Sequence, residues 1–168
     1  HDGIVIQLPM PLSLPVKEIL NSIPKGKDVD LLSEESFQDF IQGQSKIFPP
    51  VTGAIKEIID EYKIELTDKK ILIIGQGRLV GLPTYYWLKN LGHDPYFVDK
   101  DTMDIAPYTM KADIIISGAG QSGLIKPEMI KDGAIIIDAG TSEMSGKIAG
   151  DADPSCASKC LFFVPVPG

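Results

Sequence analysis

Ile71-Leu72-Ile73-Ile74-Gly75-Gln76-Gly77-Arg78-Leu79-Val80-Gly81-Leu82-Pro83 decides how the rest of the chain is read. Four unbroken apolar residues predict a strand buried on both faces. A glycine-rich turn follows directly. Tyr85 to Leu91 then reads as a helix that stops at Gly92, a natural C-terminal glycine. Strand, glycine turn and helix together form the phosphate-binding corner of a dinucleotide fold. Gly75 permits the tight turn, Gly77 lets the backbone approach a pyrophosphate, and the helix N-terminus offers unpaired N–H groups. The third glycine, Gly81, comes one residue later than in the standard fingerprint, so a plain strand-to-helix turn remains the alternative.

The following segment strengthens the first reading. His93 to Asp99 predicts a second strand ending in an acid. An acidic residue about 20 positions beyond the glycines is where such folds bind the ribose hydroxyls. Asp99 has that spacing, with a solvated strand end as its alternative.

Asp113 to Ser117 and Ala134 to Asp138 predict two further buried strands. Each is followed by small residues: Gly118 and Ala119 after the one, Ala139, Gly140 and Thr141 after the other. Strands of this kind alternating with helices imply a parallel sheet covered on both faces, with ligands at its carboxyl edge. Gly118, Ala119 and Thr141 therefore join Gly75, Gln76, Gly77, Arg78, Gly81 and Asp99 as candidate cofactor-binding residues. Gly146 to Asp151 suggests a hairpin excursion, and Leu161 to Val164 a last strand.

Upstream, Gly3 to Pro9 reads as a short buried strand stopped by proline, with the polar Gln7 at its end. Val16 to Ile23 has helical spacing. Asp28 and Asp30 fall in a loop, and capping by Ser33 with Glu34 and Glu35 already accounts for the helix that follows. The two carboxylates therefore read as spare: available to a cap, a cation or a substrate. Phe48-Pro49-Pro50 marks a boundary, and Val51 to Tyr62 is amphipathic.

The 168 residues suit about one ordinary domain, and 43% hydrophobic content is enough for a core. A net charge of −7 argues against general nucleic-acid binding. No apolar run is long enough to cross a bilayer, so neither a nucleic-acid nor a membrane partner is expected. Two cysteines, Cys156 and Cys160, and two distant histidines give no zinc pattern, and no metal is expected. Free thiols fit a reducing, cytoplasmic setting.

Taken in order, the motifs resemble the bifunctional methylenetetrahydrofolate dehydrogenase/cyclohydrolase family over nearly the whole chain. Gly3 to Pro11 is similar to its GILVQLPLP strand, and Lys27 to Asp30 to its KDVDG. Gly75 to Pro83 is similar to GRSxxVGxP, Ala134 to Gly140 with Gly146 to Asp153 to AVVIDVGIN…GKLVGDVD, and Pro165 to Gly168 to the start of PVPGGVGPMT. The resemblance implies an α/β protein with a Rossmann-like parallel-sheet nucleotide-binding domain at 48–168. The remnant of an N-terminal α/β catalytic domain would occupy 1–47.

It also implies roles. Gln7 would work with a catalytic lysine, and Asp30 would hold the pterin ring. Leu8, Pro167 and Gly168 would line a folate cleft. The implied activity is oxidation of methylenetetrahydrofolate with a nicotinamide cofactor, then hydrolysis to formyltetrahydrofolate, in a homodimer. The pattern departs at telling places: the family's RS is Gln76-Gly77, its HSxT is Asp99-Lys100-Asp101-Thr102, and its PCTP is Pro49-Pro50-Val51-Thr52. Asp30 is followed by Leu31 instead of Gly. No Tyr-x-x-x-Lys helix precedes Gly3, so the chain is expected to be the C-terminal two-thirds of an atypical member, inactive alone. Loss of the 2′-phosphate-binding pair points to NAD where NADP is the family norm. A non-catalytic nucleotide-binding or assembly module is the alternative.

Overall fold

The computed structural model describes residues 1–144 and 146–167. Its centre is a five-stranded, all-parallel sheet: β1 (Ile71–Ile74), β2 (Tyr96–Val98), β3 (Ile114–Ser117), β4 (Ile135–Asp138) and β7 (Phe162–Val164), in the order β2-β1-β3-β4-β7. Strands β5 (Ser142–Met144) and β6 (Lys147–Ala149) form a separate antiparallel pair. The helices are α1 (Val16–Asn21), α2 (Glu34–Ile41), α3 (Pro50–Glu61), α4 (Gly81–Asn90) and the short α5 (Ala106–Thr109).

Strand residues alternate between two cores. Ile71, Ile73, Ile114, Ile116, Ile135 and Ile137 pack on one face with Phe37 and Phe40 of α2, Ile55 and Ile59 of α3, and Trp87 and Leu88 of α4. Leu72, Ile74, Ile115 and Ile136 pack on the other with Val98, Ile105, Ile125, Ile130 and Cys156. A strand apolar at every position is what two covered faces require, and each fully buried isoleucine adds ~1.5–3 kcal/mol of transfer free energy. The sheet order reverses between β1 and β3, because the chain runs from β1 outward to β2 and then returns to the other side of β1. That reversal opens a crevice at the carboxyl ends of these strands.

Three expectations need correction. Gly3 to Pro9 is not a buried strand. Ile4 makes one parallel bridge to Asp28, donating to Lys27 O at 2.8 Å, and Val5 is 69% exposed. Among the described residues nothing else pairs with this run: Ile4 and Val5 stay at the surface, while Ile6 and Leu8 pack half-buried against a small cluster of Leu20, Ile23 and Leu32. Helix α4 begins at Gly81, four residues before Tyr85: Pro83 lies within the first turn, where its missing N–H has no intrahelical partner to lose. Asp28 is not a spare carboxylate, for reasons given below. Among the described residues, no helix is long and apolar enough to cross a membrane.

Candidate functional site

The crevice at the sheet reversal is a cavity of about 750 Å³. The β1–α4 turn supplies Gly75, Gln76 and Gly77 to its wall, the segment after β2 supplies Asp99, Lys100 and Thr102, and the loop after β3 supplies Gly118, Ala119 and Gln121. Backbone bonds tie these loops to the sheet: Gly75 N donates to Val98 O at 2.8 Å and Gly118 N to Ile74 O at 2.9 Å.

The glycines of the turn have different reasons to be glycine. Gly75 has φ +91°, and a Cβ there would lie 2.8 Å from Gly118 O. At Gly81 a Cβ would lie 1.8 Å from Gly75 O, so helix α4 seats directly under the turn only because that side chain is absent. Gly81 therefore packs below the cavity and does not line it. Gly77 has nothing within 4 Å of its Cβ position, which leaves its backbone bare toward open space. That is the cradle a diphosphate needs, and these residues fit a dinucleotide.

Asp99 is held at the rim. Gln76 Nε2 donates to its Oδ2 at 3.0 Å, and Asp101 N donates to its Oδ1 at 3.0 Å. Asp99 N in turn donates to Thr102 Oγ1 at 3.2 Å. Two anionic side chains, Asp99 and Asp104, and one cation, Lys100, line this cavity.

A second, smaller cavity of about 160 Å³ brings together Gln7, Leu8, Asp30 and Arg78, with Pro49, Pro50 and Val51. Gln7 is exposed and donates to Leu8 O at 2.9 Å. Burial, together with the nearby Asp28 charge, pushes the half-buried Asp30 above the usual carboxylate range. Its neighbour Asp28 is 1% exposed and fully engaged, with Oδ1 accepting from Leu32 N at 2.9 Å and Oδ2 from Ser33 N at 2.8 Å. It braces the turn at Leu31, whose φ is +55°, and the start of α2. Arg78 leaves the larger cavity altogether. Its guanidinium donates to Leu32 O and lies 5.1 Å above the Phe37 ring, so the glycine turn is anchored to the N-terminal segment.

Thr141 is exposed and Pro167 is exposed, and neither lines either of these cavities. Gly168 lies outside the described residues. Sequence reasoning passed over Asp138 and Asp151, both buried behind the carboxyl edge. Asp138 accepts from Gly140 N at 2.9 Å and Ala152 N at 2.8 Å, and burial nonetheless pushes its carboxyl above the usual range. Asp138 ends a strand and a glycine precedes Asp151, but the partners of Asp151 lie 30 or more residues away and leave no local pattern.

A doubly wound α/β domain with a dinucleotide-shaped crevice at its switch point is the class that this geometry defines. Residues 49–168 match the family model described as the tetrahydrofolate dehydrogenase/cyclohydrolase NAD(P)-binding domain. The chain belongs to that family. A bifunctional protein FolD from Hydrogenobaculum is 38% identical over 170 residues, covering 99% of this chain and 61% of its own length. The crystal structure of the bifunctional enzyme FolD from Campylobacter jejuni superposes with TM-score 0.93 at 34% identity, covering 99% of this chain and 60% of that one. A Trypanosoma brucei methylenetetrahydrofolate dehydrogenase-cyclohydrolase complexed with NADP and an inhibitor gives TM-score 0.91 at 31% identity, covering 99% and 60%. The chain thus spans about 60% of the length of the relatives it matches.

Proposed function

We propose that the protein oxidises methylenetetrahydrofolate with a nicotinamide dinucleotide and hydrolyses the methenyl product to formyltetrahydrofolate, with NAD preferred over NADP. The observation that carries the NAD preference is Asp99 on the wall of the larger cavity, held by an uncharged Gln76. A carboxylate at the end of β2 accepts hydrogen bonds from ribose hydroxyls and repels a 2′-phosphate. Arg78, the cation of the glycine turn, is engaged elsewhere, with Leu32 and Phe37. Among the described residues Lys100 alone lines the cavity as a cation, against Asp99 and Asp104.

The nicotinamide ring, when bound, supplies the hydride acceptor. The chain's own part is to hold the pyrophosphate against the Gly75–Gly77 turn and to orient the ribose at Asp99, with Gly118 and Ala119 along the far wall. Gln7, Leu8 and Asp30 form one side of the folate cleft, and the family resemblance adds Pro167 and Gly168 to its lining. Asp30 accepts from the aminopyrimidine edge of the pterin, a task suited by its raised basicity. Gln7 orients the hydrolytic water together with a lysine. Thr141, in the loop between β4 and β5, belongs to the cofactor side. Residues 1–47 serve as part of the folate-binding unit and residues 48–168 as the dinucleotide unit, in a cytoplasmic homodimer.

The test is kinetic, on the full-length protein. Gln7→Ala is expected to lower the cyclohydrolase rate. Asp30→Ala is expected to weaken folate binding by about 1.5–3 kcal/mol while dinucleotide binding holds. Equal losses for both ligands in Asp30→Ala, with unchanged kinetics in Gln7→Ala, would contradict the proposal.

A further inference from the structure

The loop after β3, residues 118–121, forms one wall of the larger cavity and makes no regular ladder with any strand. Its shape is set by a side chain from the far end of the β5–β6 excursion. Asp151 is 0% exposed. Its Oδ2 accepts from Ser117 Oγ at 2.5 Å and from Ala119 N at 2.7 Å, and its Oδ1 accepts from Gln121 N at 2.7 Å. Donors around one carboxylate thus hold the end of β3 and two alternate amides of the loop. The backbone of Asp151 is itself fixed, since Ile125 N donates to its carbonyl at 3.0 Å. The carboxylate can reach this place only because residue 140 is glycine: a Cβ on Gly140 would lie 2.1 Å from the Asp151 carboxyl carbon.

A buried carboxylate without a cation is costly unless several donors satisfy it, and here the donors are the cavity rim itself. Gly118 and Ala119 present their surface to the cavity while the Ala119 amide is turned inward. We propose that Asp151 is a positioning residue for the dinucleotide, acting through the Gly118–Gln121 wall and touching no ligand. The proposal rests on the dinucleotide reading above and assigns to that site a residue buried behind it. Asp138, accepting from Gly140 N and Ala152 N, braces Asp151 from the neighbouring loop.

The experiment uses the full chain, with Asp151→Asn as the conservative variant and Asp151→Ala as the severe one. NAD is titrated calorimetrically, and amide hydrogen exchange is followed residue by residue. In Asp151→Asn the single side-chain oxygen can still serve Ser117 and Ala119, but an NH2 then faces the Gln121 amide. The Gln121 amide is expected to exchange at least about tenfold faster and NAD to bind about fivefold more weakly, the loss of one net hydrogen bond. Ala119 and the strand amides of Ile116 and Ile136 are expected to keep their protection. In Asp151→Ala the Ala119 amide is expected to be freed too, with a further loss of affinity; should that variant not fold, Asp151→Asn still decides. A variant that frees the Gln121 amide yet binds NAD as the wild type does overturns the proposal, as does unchanged exchange at Gln121. A wild type that binds neither NAD nor NADP overturns instead the functional reading beneath it.

Discussion

Two aspartates separated by a single valine do opposite things. Asp28 is consumed by the fold, whereas Asp30 borders the smaller cavity. Burial raises the Asp28 carboxyl, but hydrogen bonds from Ser33, Leu32 and Ser36 outweigh it and hold the group below its ordinary value. A carboxyl held below its unfolded value stabilises the fold above that value, and the contribution fades as pH falls through the folded value. Asp28→Asn leaves one buried N–H without an acceptor, and is expected to cost about 1–3 kcal/mol at neutral pH. The difference from wild type should shrink as pH falls below the ordinary carboxylate range. Urea unfolding at a series of pH values measures it; a pH-independent difference would assign the cost to packing alone. None of this was legible locally. Ser33 already explained the helix start, and the demand for a second acceptor arises from a left-handed Leu31 that no pattern announces. Arg78 was equally opaque, because its partners at Leu32 and Phe37 lie more than forty residues away in sequence.

At the scale of elements, the glycine turn separates two requirements that the sequence presents as one motif. Gly81 is demanded by helix packing, Gly77 by nothing in the protein. Gly81→Ala would drive a methyl into the Gly75 carbonyl, so the turn or helix α4 must move, and both stability and NAD affinity should fall. Gly77→Ala has free space and a φ outside the left-handed region, so its stability should change by no more than about 1 kcal/mol. Its NAD affinity should nonetheless fall, because the methyl occupies the approach to the pyrophosphate. Thermal melts paired with calorimetric titration separate the two. Equal losses of stability would show that Gly77 also serves the fold. The strands around this turn were legible because two-sided burial leaves no polar position, and a run of isoleucine has little other use. The Gly3 to Pro9 run obeyed the same pattern without the neighbours that make it meaningful, and there the sequence misled.

Across the whole molecule, the reversal of strand order between β1 and β3 places Gly75, Asp99 and Gly118 around one crevice from three separate segments. Anchoring of Arg78 on Leu32 and Phe37 then joins the wall of that crevice to the smaller cavity holding Gln7 and Asp30. The residues proposed to choose the cofactor were legible as departures from a motif, Gln76 and Gly77 in place of Arg and Ser, but the placement of Arg78 outside the cavity was visible only in three dimensions. Like charges in a partly buried site cost several kcal/mol, and about 1.4 kcal/mol is already tenfold in affinity. The most direct measurement is calorimetric titration of NAD and NADP into the wild type and into Asp99→Ser. The account predicts at least about tenfold tighter NAD binding by the wild type, and a ratio that moves toward NADP on substitution. Tighter NADP binding by the wild type, or a ratio untouched by Asp99→Ser, would contradict it.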